Sequence, residues 1–402
     1  MTTTRRSVLG LLGAAPLVAG GVLAASGTGY AGTGSIPAGL RPGGALDQFA
    51  AALAARDEFS GVLLLTYQGR TVLARSYGMA NKELSIPNRP DTLFALASVT
   101  KLFTAVSLAQ LAQQGKVAYH DKVGTYLDGF PADIADRVTV HHLLTHTSGL
   151  GDYMKMPGFW AAAATWTSAD EVMDGTMAFI RRSELASPPG TEMLYSNSGY
   201  HILGAIVAKI SGQSYFGYVR EHIFGPAGMC GTDFYTNPQW RDDRRIARPY
   251  KKLPSGERID DVAGRIFIGT PAGDAFSNCV DMDRFAHALL GGKLLLNPAY
   301  TQLTLSEKVP MPPQAPPGSP APPPGATPPQ AVFQCYGPQA VVVNNQRALG
   351  HAGGAPGEST EIQWYPESHW VSVILSNYDM GTSLPIAALA RELITDYESL
   401  SR

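Results

Sequence analysis

The chain has 402 residues and a formal net charge of -2 at neutral pH, with 45% hydrophobic and only 16% charged residues. This composition provides ample apolar material for a large core, and it lacks the excess of basic residues that nucleic-acid binding requires. The wide spacing of Cys230, Cys279 and Cys335 excludes a CxxC redox pair and a zinc knuckle, and it leaves open either one disulfide with one free thiol or three buried thiols.

Residues 1–32 predict a removable export signal. Arg5 and Arg6 precede an apolar run rich in glycine and alanine, and no acidic residue occurs before Asp47. Paired arginines ahead of a mildly hydrophobic segment resemble a twin-arginine signal, which places the mature protein outside the cytoplasm. The rival interpretation is an uncleaved membrane anchor, but several glycines make the run weakly hydrophobic for a permanent span. We therefore expect cleavage near the end of this segment and no stable membrane span afterwards.

The length of the chain suggests two or three domains, and a single domain over 33–402 with an inserted helical lobe fits equally well. The order of the predicted elements favours the α+β class. The predicted elements, in chain order, are a helix over 45–56 with Leu46, Phe49, Ala52 and Leu53 on one face, a hairpin of strands over 59–67 and 71–77, a helix over 102–114 with one apolar stripe, short helices within 120–290, a buried strand over 371–375 and a closing helix over 384–399. Strands at both ends predict an antiparallel sheet built from the two termini and flanked by helices, with a mostly helical lobe inserted between them.

The segment over 310–330 stands apart because eleven of its twenty-one residues are proline. Such a run cannot form a helix or a central strand, and it favours extended polyproline II structure. We expect a surface loop over 309–330. The alternative is a docking ligand for a proline-reading domain, but no charged anchor flanks a PxxP core in this segment.

Ser98 and Lys101 form an S-x-x-K string at the start of the predicted helix over 102–114. A serine hydroxyl is a poor nucleophile until a base takes its proton, and residues three apart on a helix share one face. The amine of Lys101 can therefore reach the hydroxyl of Ser98, and burial would lower the lysine pKa toward that of a usable base. By itself, so short a string is more typical of a helix cap followed by a surface lysine.

Two further strings contain residues suited to the same chemistry. Tyr195 can pass a proton to a leaving group if its pKa is lowered, and Asn197, two residues later, can hold a substrate amide. His351 lies in a glycine-rich stretch with Gly353 and Gly354, where a substrate backbone can approach closely. The simpler interpretation of each string is structural, and for the first it is a capped helix with a packed tyrosine.

In the order S-x-x-K, Y-x-N and H-x-G, the three strings resemble those of the serine β-lactamase and penicillin-binding-protein superfamily. The most similar types are class C β-lactamases, D-alanyl-D-alanine carboxypeptidases, D-aminopeptidases and family VIII esterases. The resemblance extends over about 45–395 and includes the strings HLLTHTSGL at 142–150 and PAG at 271–273. It implies a β-lactamase/transpeptidase-like fold and a serine hydrolase that forms an acyl-enzyme without a metal or another cofactor.

The resemblance also implies roles for the individual residues. Ser98 would attack the scissile carbonyl, and Lys101 would accept its proton, by itself or together with Tyr195. Tyr195 would then protonate the leaving group and later activate water, while Asn197 would bind the acyl side chain. The backbone N–H groups of Ser98 and Gly354 would form the oxyanion hole.

The third string departs from the family pattern and bears on the substrate. It reads H-A-G where efficient β-lactamases have K-T-G, so His351 replaces a lysine and Ala352 supplies no hydroxyl. Penicillins and D-alanyl-D-alanine present a carboxylate there, and a histidine is charged only part of the time near neutral pH. We therefore favour a monomeric exported hydrolase of an ester or of a D-amino-acid-containing amide, a cell-wall peptide included. We expect His146 to shape a loop rather than join the chemistry.

Three alternatives use the same site differently. The first is a class C-like β-lactamase, and the second is an enzyme that transfers the acyl group to an amine instead of water. The third is a non-catalytic protein that senses peptidoglycan or a β-lactam. The joint presence of Ser98, Lys101, Tyr195 and Asn197 argues against a site without activity.

Overall fold

The computed structural model of the protein describes residues 36–311 and 330–400. The predicted export signal over 1–32 and most of the proline-rich segment lie outside these residues. The strands are β1 (Gly61–Tyr67), β2 (Arg70–Tyr77), β3 (Met79–Asn81), β4 (Ile86–Pro87), β5 (Phe94–Ala95), β6 (Tyr250–Lys252), β7 (Arg258–Asp260), β8 (Phe276–Ser277), β9 (Val309–Pro310), β10 (Ala331–Gln334), β11 (Gln339–Val343), β12 (Gln346–Ala355), β13 (Glu358–Tyr365) and β14 (Trp370–Ser376).

Eight strands form one antiparallel sheet in the order β2-β1-β14-β13-β12-β11-β10-β9. The first strand, β1, pairs along its whole length with the last strand, β14, so the prediction of a sheet completed by both termini is confirmed. The predicted loop over 309–330 is wrong at its start, because Val309 and Pro310 form the edge strand β9 against β10. Proline is tolerated there because an edge strand has one side without ladder hydrogen bonds.

The sheet separates two cores. Val62 and Leu64 of β1 belong to the core between the sheet and the helical lobe, whereas Leu63 and Leu65 belong to the core on the opposite face. This division follows from the alternation of side chains along a strand. The β1–β2 turn contains Gln68 and Gly69, both with positive φ, the backbone that a two-residue hairpin turn needs.

The α-helices are α1 (Ala45–Ala55), α2 (Lys101–Gln113), α3 (Val123–Tyr126), α4 (Ala132–Ala135), α5 (Val140–Leu144), α6 (Phe159–Ala163), α7 (Ala169–Ile180), α8 (Asn197–Ser211), α9 (Tyr215–Val219), α10 (Gly225–Ala227), α11 (Asn237–Asp242), α12 (Cys279–Leu290), α13 (Pro298–Leu305) and α14 (Leu384–Leu400). Short 3-10 turns at Ala38–Leu40, Ala97–Thr100, Tyr153–Lys155 and Val262–Gly264 and a π-helical turn at Arg220–Phe224 complete the helical elements. Helices α1 and α14 cover one face of the sheet, and the inserted lobe covers the other. Within the described ranges, no helix combines the length and the hydrophobicity of a membrane span.

Three predicted details differ in the structure. In α1, Ala50 is buried and Ala52 is exposed, so the predicted apolar face is shifted. Helix α2 is buried on nearly every side rather than along one stripe, because it lies between the sheet and the surrounding lobe. The cysteines are all free thiols, with Cys230 exposed and the other two buried, so neither sequence alternative holds in full.

Candidate active site

Ser98 lies in the 3-10 turn Ala97–Thr100, which continues directly into α2. The preceding residue, Ala97, has a φ of 44°, a left-handed conformation that is costly outside glycine and is concentrated at functional sites. The segment that follows the PAG string is hydrogen-bonded to this turn. Ala275 N donates a hydrogen bond to Thr100 Oγ1 at 3.0 Å, and Asp274 N donates one to the carbonyl oxygen of Ala97 at 3.2 Å. The turn therefore presents a partly exposed Ser98 on a rigid support.

Lys101 is fully buried at the first position of α2, one turn after Ser98. Its Nζ lies 3.1 Å from Ser98 Oγ, 2.7 Å from Asn197 Oδ1 and 2.6 Å from the carbonyl oxygen of Ala272. Burial lowers the pKa of Lys101 to about 7, against a smaller opposing effect of the nearby carboxylates. A substantial fraction of the lysine is therefore neutral near pH 7, as the sequence interpretation required.

The partners of Lys101 decide what its neutral form can do. A neutral amine has two N–H donors and one lone pair. The side-chain oxygen Oδ1 of Asn197 and the carbonyl oxygen of Ala272 can only accept hydrogen bonds. Both N–H groups are thus directed to these two oxygens, and the lone pair remains for the hydroxyl proton of Ser98. This arrangement is that of a general base in contact with its nucleophile.

Tyr195 lies on the other side of Ser98, and its hydroxyl donates to Ser98 Oγ at 2.7 Å. Although 38% of the residue surface is exposed, burial raises the pKa of Tyr195 above its ordinary range. The condition of a lowered tyrosine pKa, under which the sequence analysis allowed a proton transfer, is therefore not met. Because the phenol keeps its proton at neutral pH, Tyr195 can serve as a proton donor, while the role of base belongs to Lys101.

The imidazole ring of His146 stacks against the phenol ring of Tyr195. The two rings stack with centroids 4.4 Å apart, and His146 Nδ1 accepts a hydrogen bond from Ser196 N at 3.1 Å. His146 is itself fully buried in a left-handed conformation. The structure thus gives this histidine a positioning role for Tyr195, beyond the loop-shaping role predicted for it.

Asn197 opens α8 and connects Lys101 to a carboxylate. Its Oδ1 accepts from Lys101, and its Nδ2 donates to Asp152 Oδ2 at 2.7 Å. With only 9% of its surface exposed, the asparagine holds the base in position, and its predicted contact with the acyl side chain stays a prediction. Sequence reasoning missed Asp152, which follows the HTSGL string by two residues and could have been noticed there.

Strand β12 forms the opposite wall of the site. Within the described residues, its pairing with β11 ends at Gly350, while its pairing with β13 continues to Ala355, so one edge of 351–355 has no neighbouring strand. A Cβ on Gly353 would lie 2.3 Å from the carbonyl oxygen of Leu96, which shows that the strand touches the Ser98 turn. The predicted contribution of the Gly354 N–H group to an oxyanion hole stays a prediction.

His351 on β12 is neutral in this environment. Burial and the charge of Lys101 lower its pKa to about 3, and only 4% of its surface is exposed. The expectation that it is charged part of the time near neutral pH is therefore wrong. The site thus has no cation at the position where the K-T-G lysine would lie. Across the part of the chain that the structure describes, no three His, Cys, Asp or Glu side chains are arranged to hold a metal ion.

Comparisons with known proteins agree with the predicted resemblance. A family model described as Beta-lactamase matches residues 46–395. Penicillin-binding protein 4* of Bacillus subtilis is 30% identical over 358 residues, which span 84% of this chain and 72% of that protein. Esterase EstB of Burkholderia gladioli is 32% identical over 212 residues, which span 50% of this chain and 53% of the esterase. The structure of D-amino acid amidase from Ochrobactrum anthropi SV3 with L-phenylalanine amide has the same fold, with a TM-score of 0.69, 24% identity and coverage of 89% of this chain and 97% of that one.

Proposed function

The chain belongs to the Beta-lactamase family, and on that premise we propose that it is an exported serine hydrolase that forms an acyl-enzyme at Ser98 and acts on an ester or on a D-amino-acid-containing amide. The observation that supports this proposal best is the hydrogen bonding of Lys101, which leaves its lone pair to Ser98. A structural lysine would need no such arrangement, and a protein that binds its ligand without acylation would not need a buried amine of lowered pKa.

Acylation follows from these contacts. The Ser98 Oγ–H proton moves to the lone pair of Lys101 while the bond between Oγ and the substrate carbonyl carbon forms, and N–H groups of Ser98 and Gly354 stabilise the oxyanion. Collapse of this intermediate breaks the bond to the leaving oxygen or nitrogen. The leaving group takes a proton from the Tyr195 hydroxyl. The resulting phenolate then takes a proton from the Lys101 ammonium.

Deacylation repeats these transfers with water. A water molecule attacks the ester carbonyl of the acyl-enzyme and gives one proton to Lys101, and the bond between the carbonyl carbon and Ser98 Oγ then breaks. Oγ takes its proton back from the Lys101 ammonium, which becomes neutral again, and the carboxylic acid product leaves. Lys101, with a pKa near neutrality, is the general base in both half-reactions, and Tyr195, which is protonated at rest, donates its proton to the leaving group in acylation.

The choice of substrate rests on β12 and on the relatives. A neutral His351 provides no charge for the carboxylate of a penicillin or of a D-alanyl-D-alanine peptide. Known relatives include an esterase and, at the level of the fold, an amidase of D-amino acids. Both kinds of substrate can be cleaved without a carboxylate beside the scissile bond, so they rank above β-lactams.

Active-site labelling tests the nucleophile. We expect a fluorescent fluorophosphonate to label the wild type and not Ser98→Ala, while Ser255→Ala, at an exposed turn, serves as the matched control and labels normally. Equal labelling of the wild type and Ser98→Ala would contradict the assignment. Rates on p-nitrophenyl esters, D-amino acid p-nitroanilides and nitrocefin then rank the substrate classes, and nitrocefin turnover far above the esters would favour a β-lactamase.

Export and oligomeric state complete the proposal. We propose that the Arg5-Arg6 pair directs the chain through the twin-arginine route and that the mature enzyme acts as a monomer on small molecules or cell-wall peptides. Replacement of both arginines by lysine should retain the protein in the cytoplasm, as judged by fractionation of the expressing cells. Light scattering of the mature chain should give a mass near that of one chain.

A further inference from the structure

The tautomer of His351 is determined by its own backbone. Its Nδ1 is hydrogen-bonded to the carbonyl oxygen of Ala352, which can only accept, so Nδ1 carries the proton. In a neutral imidazole the other nitrogen, Nε2, then has a lone pair and acts as an acceptor. This Nε2 is buried and has no hydrogen-bond partner in the structure as described.

The side chain of His351 faces the reacting groups. Leu349, two residues earlier on β12, belongs to the core on the lobe side of the sheet, and alternation places His351 and Gly353 on that same side. Gly353 touches the Ser98 turn, and the charge of Lys101 acts directly on His351. The unpaired Nε2 therefore belongs to a side chain on the face of β12 that contacts the Ser98 turn, close to Lys101.

A buried polar atom without a partner is costly, and near the site the described residues have two such atoms, Nε2 of His351 and Nε2 of His146. At Ser98, Lys101, Tyr195 and Asn197 the polar side-chain atoms have partners before any substrate binds. His351 differs from these four residues, and a donor on the substrate would satisfy its Nε2. A carboxylate can only accept hydrogen bonds, so it would be repelled by the lone pair of Nε2.

The charges near the site act in the same direction. The carboxylates of Asp152 and Asp274 both influence Lys101, and Asp152 accepts hydrogen bonds from Asn197 and from Met154 N. Asp152 is only partly buried, so we expect its negative charge to act on a substrate bound beside Ser98. An anionic group on the substrate would meet this charge without a compensating cation at His351.

We propose that Nε2 of His351 accepts a hydrogen bond from an N–H or O–H group of the substrate, so that the enzyme prefers a neutral or cationic donor where relatives with K-T-G bind a carboxylate. The inference rests on the proposed hydrolase function and adds to it the polarity of the group beside the scissile bond. A primary carboxamide, an amine or a hydroxyl satisfies this requirement.

The test uses two esters with one common acyl group, one formed with glycolamide and the other with glycolic acid. They differ only in a carboxamide donor against a carboxylate. We expect wild-type kcat/KM to be at least about tenfold higher for the glycolamide ester, the effect of one hydrogen bond that only one ester can make. His351→Gln keeps a neutral acceptor and should retain this preference, whereas His351→Lys should reverse it.

A matched control adds the same charge elsewhere. His369 is exposed at the turn between β13 and β14, at the opposite end of these strands from the site, so His369→Lys should leave the preference unchanged. Equal wild-type rates on the two esters, or faster hydrolysis of the glycolic acid ester, would overturn the inference. So would an unchanged ratio in a His351→Lys variant that still labels with fluorophosphonate.

Two readouts separate the inference from the proposed function. If the wild type is neither labelled nor active on either ester, the hydrolase proposal itself fails. If it is labelled and active without preference, only the role of His351 fails. Independently of activity, nitrogen-15 NMR at pH 7, assigned by comparison with His351→Gln, should show an unprotonated Nε2 and a protonated Nδ1 in His351. Protonation of both nitrogens would contradict the proposal.

Discussion

The four catalytic side chains on the helical wall of the site and the histidine on its strand wall differ in their hydrogen bonding. On the helical wall, formed by the starts of α2 and α8, the side chains of Ser98, Lys101, Tyr195 and Asn197 bond to one another or to neighbouring groups. On the strand wall, His351 of β12 keeps a buried acceptor without a partner. The helical wall is thus organised before the substrate arrives, as catalysis requires, while the strand wall is completed by the substrate.

Of the substitutions on the helical wall, we expect Lys101→Met to lower activity most. Methionine fills a similar volume without a base, so kcat/KM for the preferred ester should fall by about 10³ to 10⁴, the upper range for loss of general base catalysis. Steady-state kinetics measures this loss. Lys116→Met, at an exposed site after the end of α2, is the matched control and should be unchanged. A loss below tenfold would mean that another group is the base.

Tyr195→Phe removes one donor and leaves the stacking on His146 in place. Because the tyrosine supplies a proton rather than accepting the one from Ser98, we expect a decrease in kcat/KM of about 10², smaller than that of Lys101→Met. The comparison is made on an ester with a good leaving group and on an amide. The amide should suffer more, since its nitrogen needs the proton. Equal losses for Tyr195→Phe and Lys101→Met would contradict the division of roles.

Gly353→Ala tests the contact between the two walls. The added Cβ would lie 2.3 Å from the carbonyl oxygen of Leu96, so the strand and the Ser98 turn must separate. We expect a loss of about 1 to 3 kcal/mol in the free energy of unfolding, measured by denaturant titration. Gly264→Ala is the control, because its new Cβ meets nothing closer than 3.6 Å. A free energy of unfolding equal to that of the wild type would contradict a close contact between Gly353 and the Ser98 turn.

The pH profile gives the smallest and most specific effect. Only neutral Lys101 accepts a proton, so wild-type kcat/KM should rise with pH through about 7 and level off above it. Asp152 raises the pKa of Lys101, and Asp152→Asn should therefore move this limb to lower pH by less than about one unit. Asp170→Asn, at an exposed position of α7, should not move it. A shift to higher pH would contradict the electrostatic coupling.

Much of the fold and of the helical wall could be predicted because the signals are local or alternating. The hairpin β1–β2, the strand β14 and the helices α1, α2 and α14 occur close to where periodicity placed them. The S-x-x-K spacing was enough to place Ser98 and Lys101 on one helical turn. Asp152 follows the HTSGL string and Ala272 lies within the PAG string, but neither string indicates a contact with Lys101, since a carboxylate or a backbone oxygen becomes a partner only when distant segments meet.

The sequence by itself determined which groups are present, namely a serine and a lysine three residues apart, a tyrosine and an asparagine on one helix start, and a histidine on a glycine-rich strand. Only the tertiary structure decided their protonation. The oxygens that direct the N–H groups of Lys101 come from positions 96 and 171 residues away. Burial raises the tyrosine pKa and lowers that of His351 because the loss of water penalises whichever form is charged. Proton positions therefore depend on contacts that no local pattern contains.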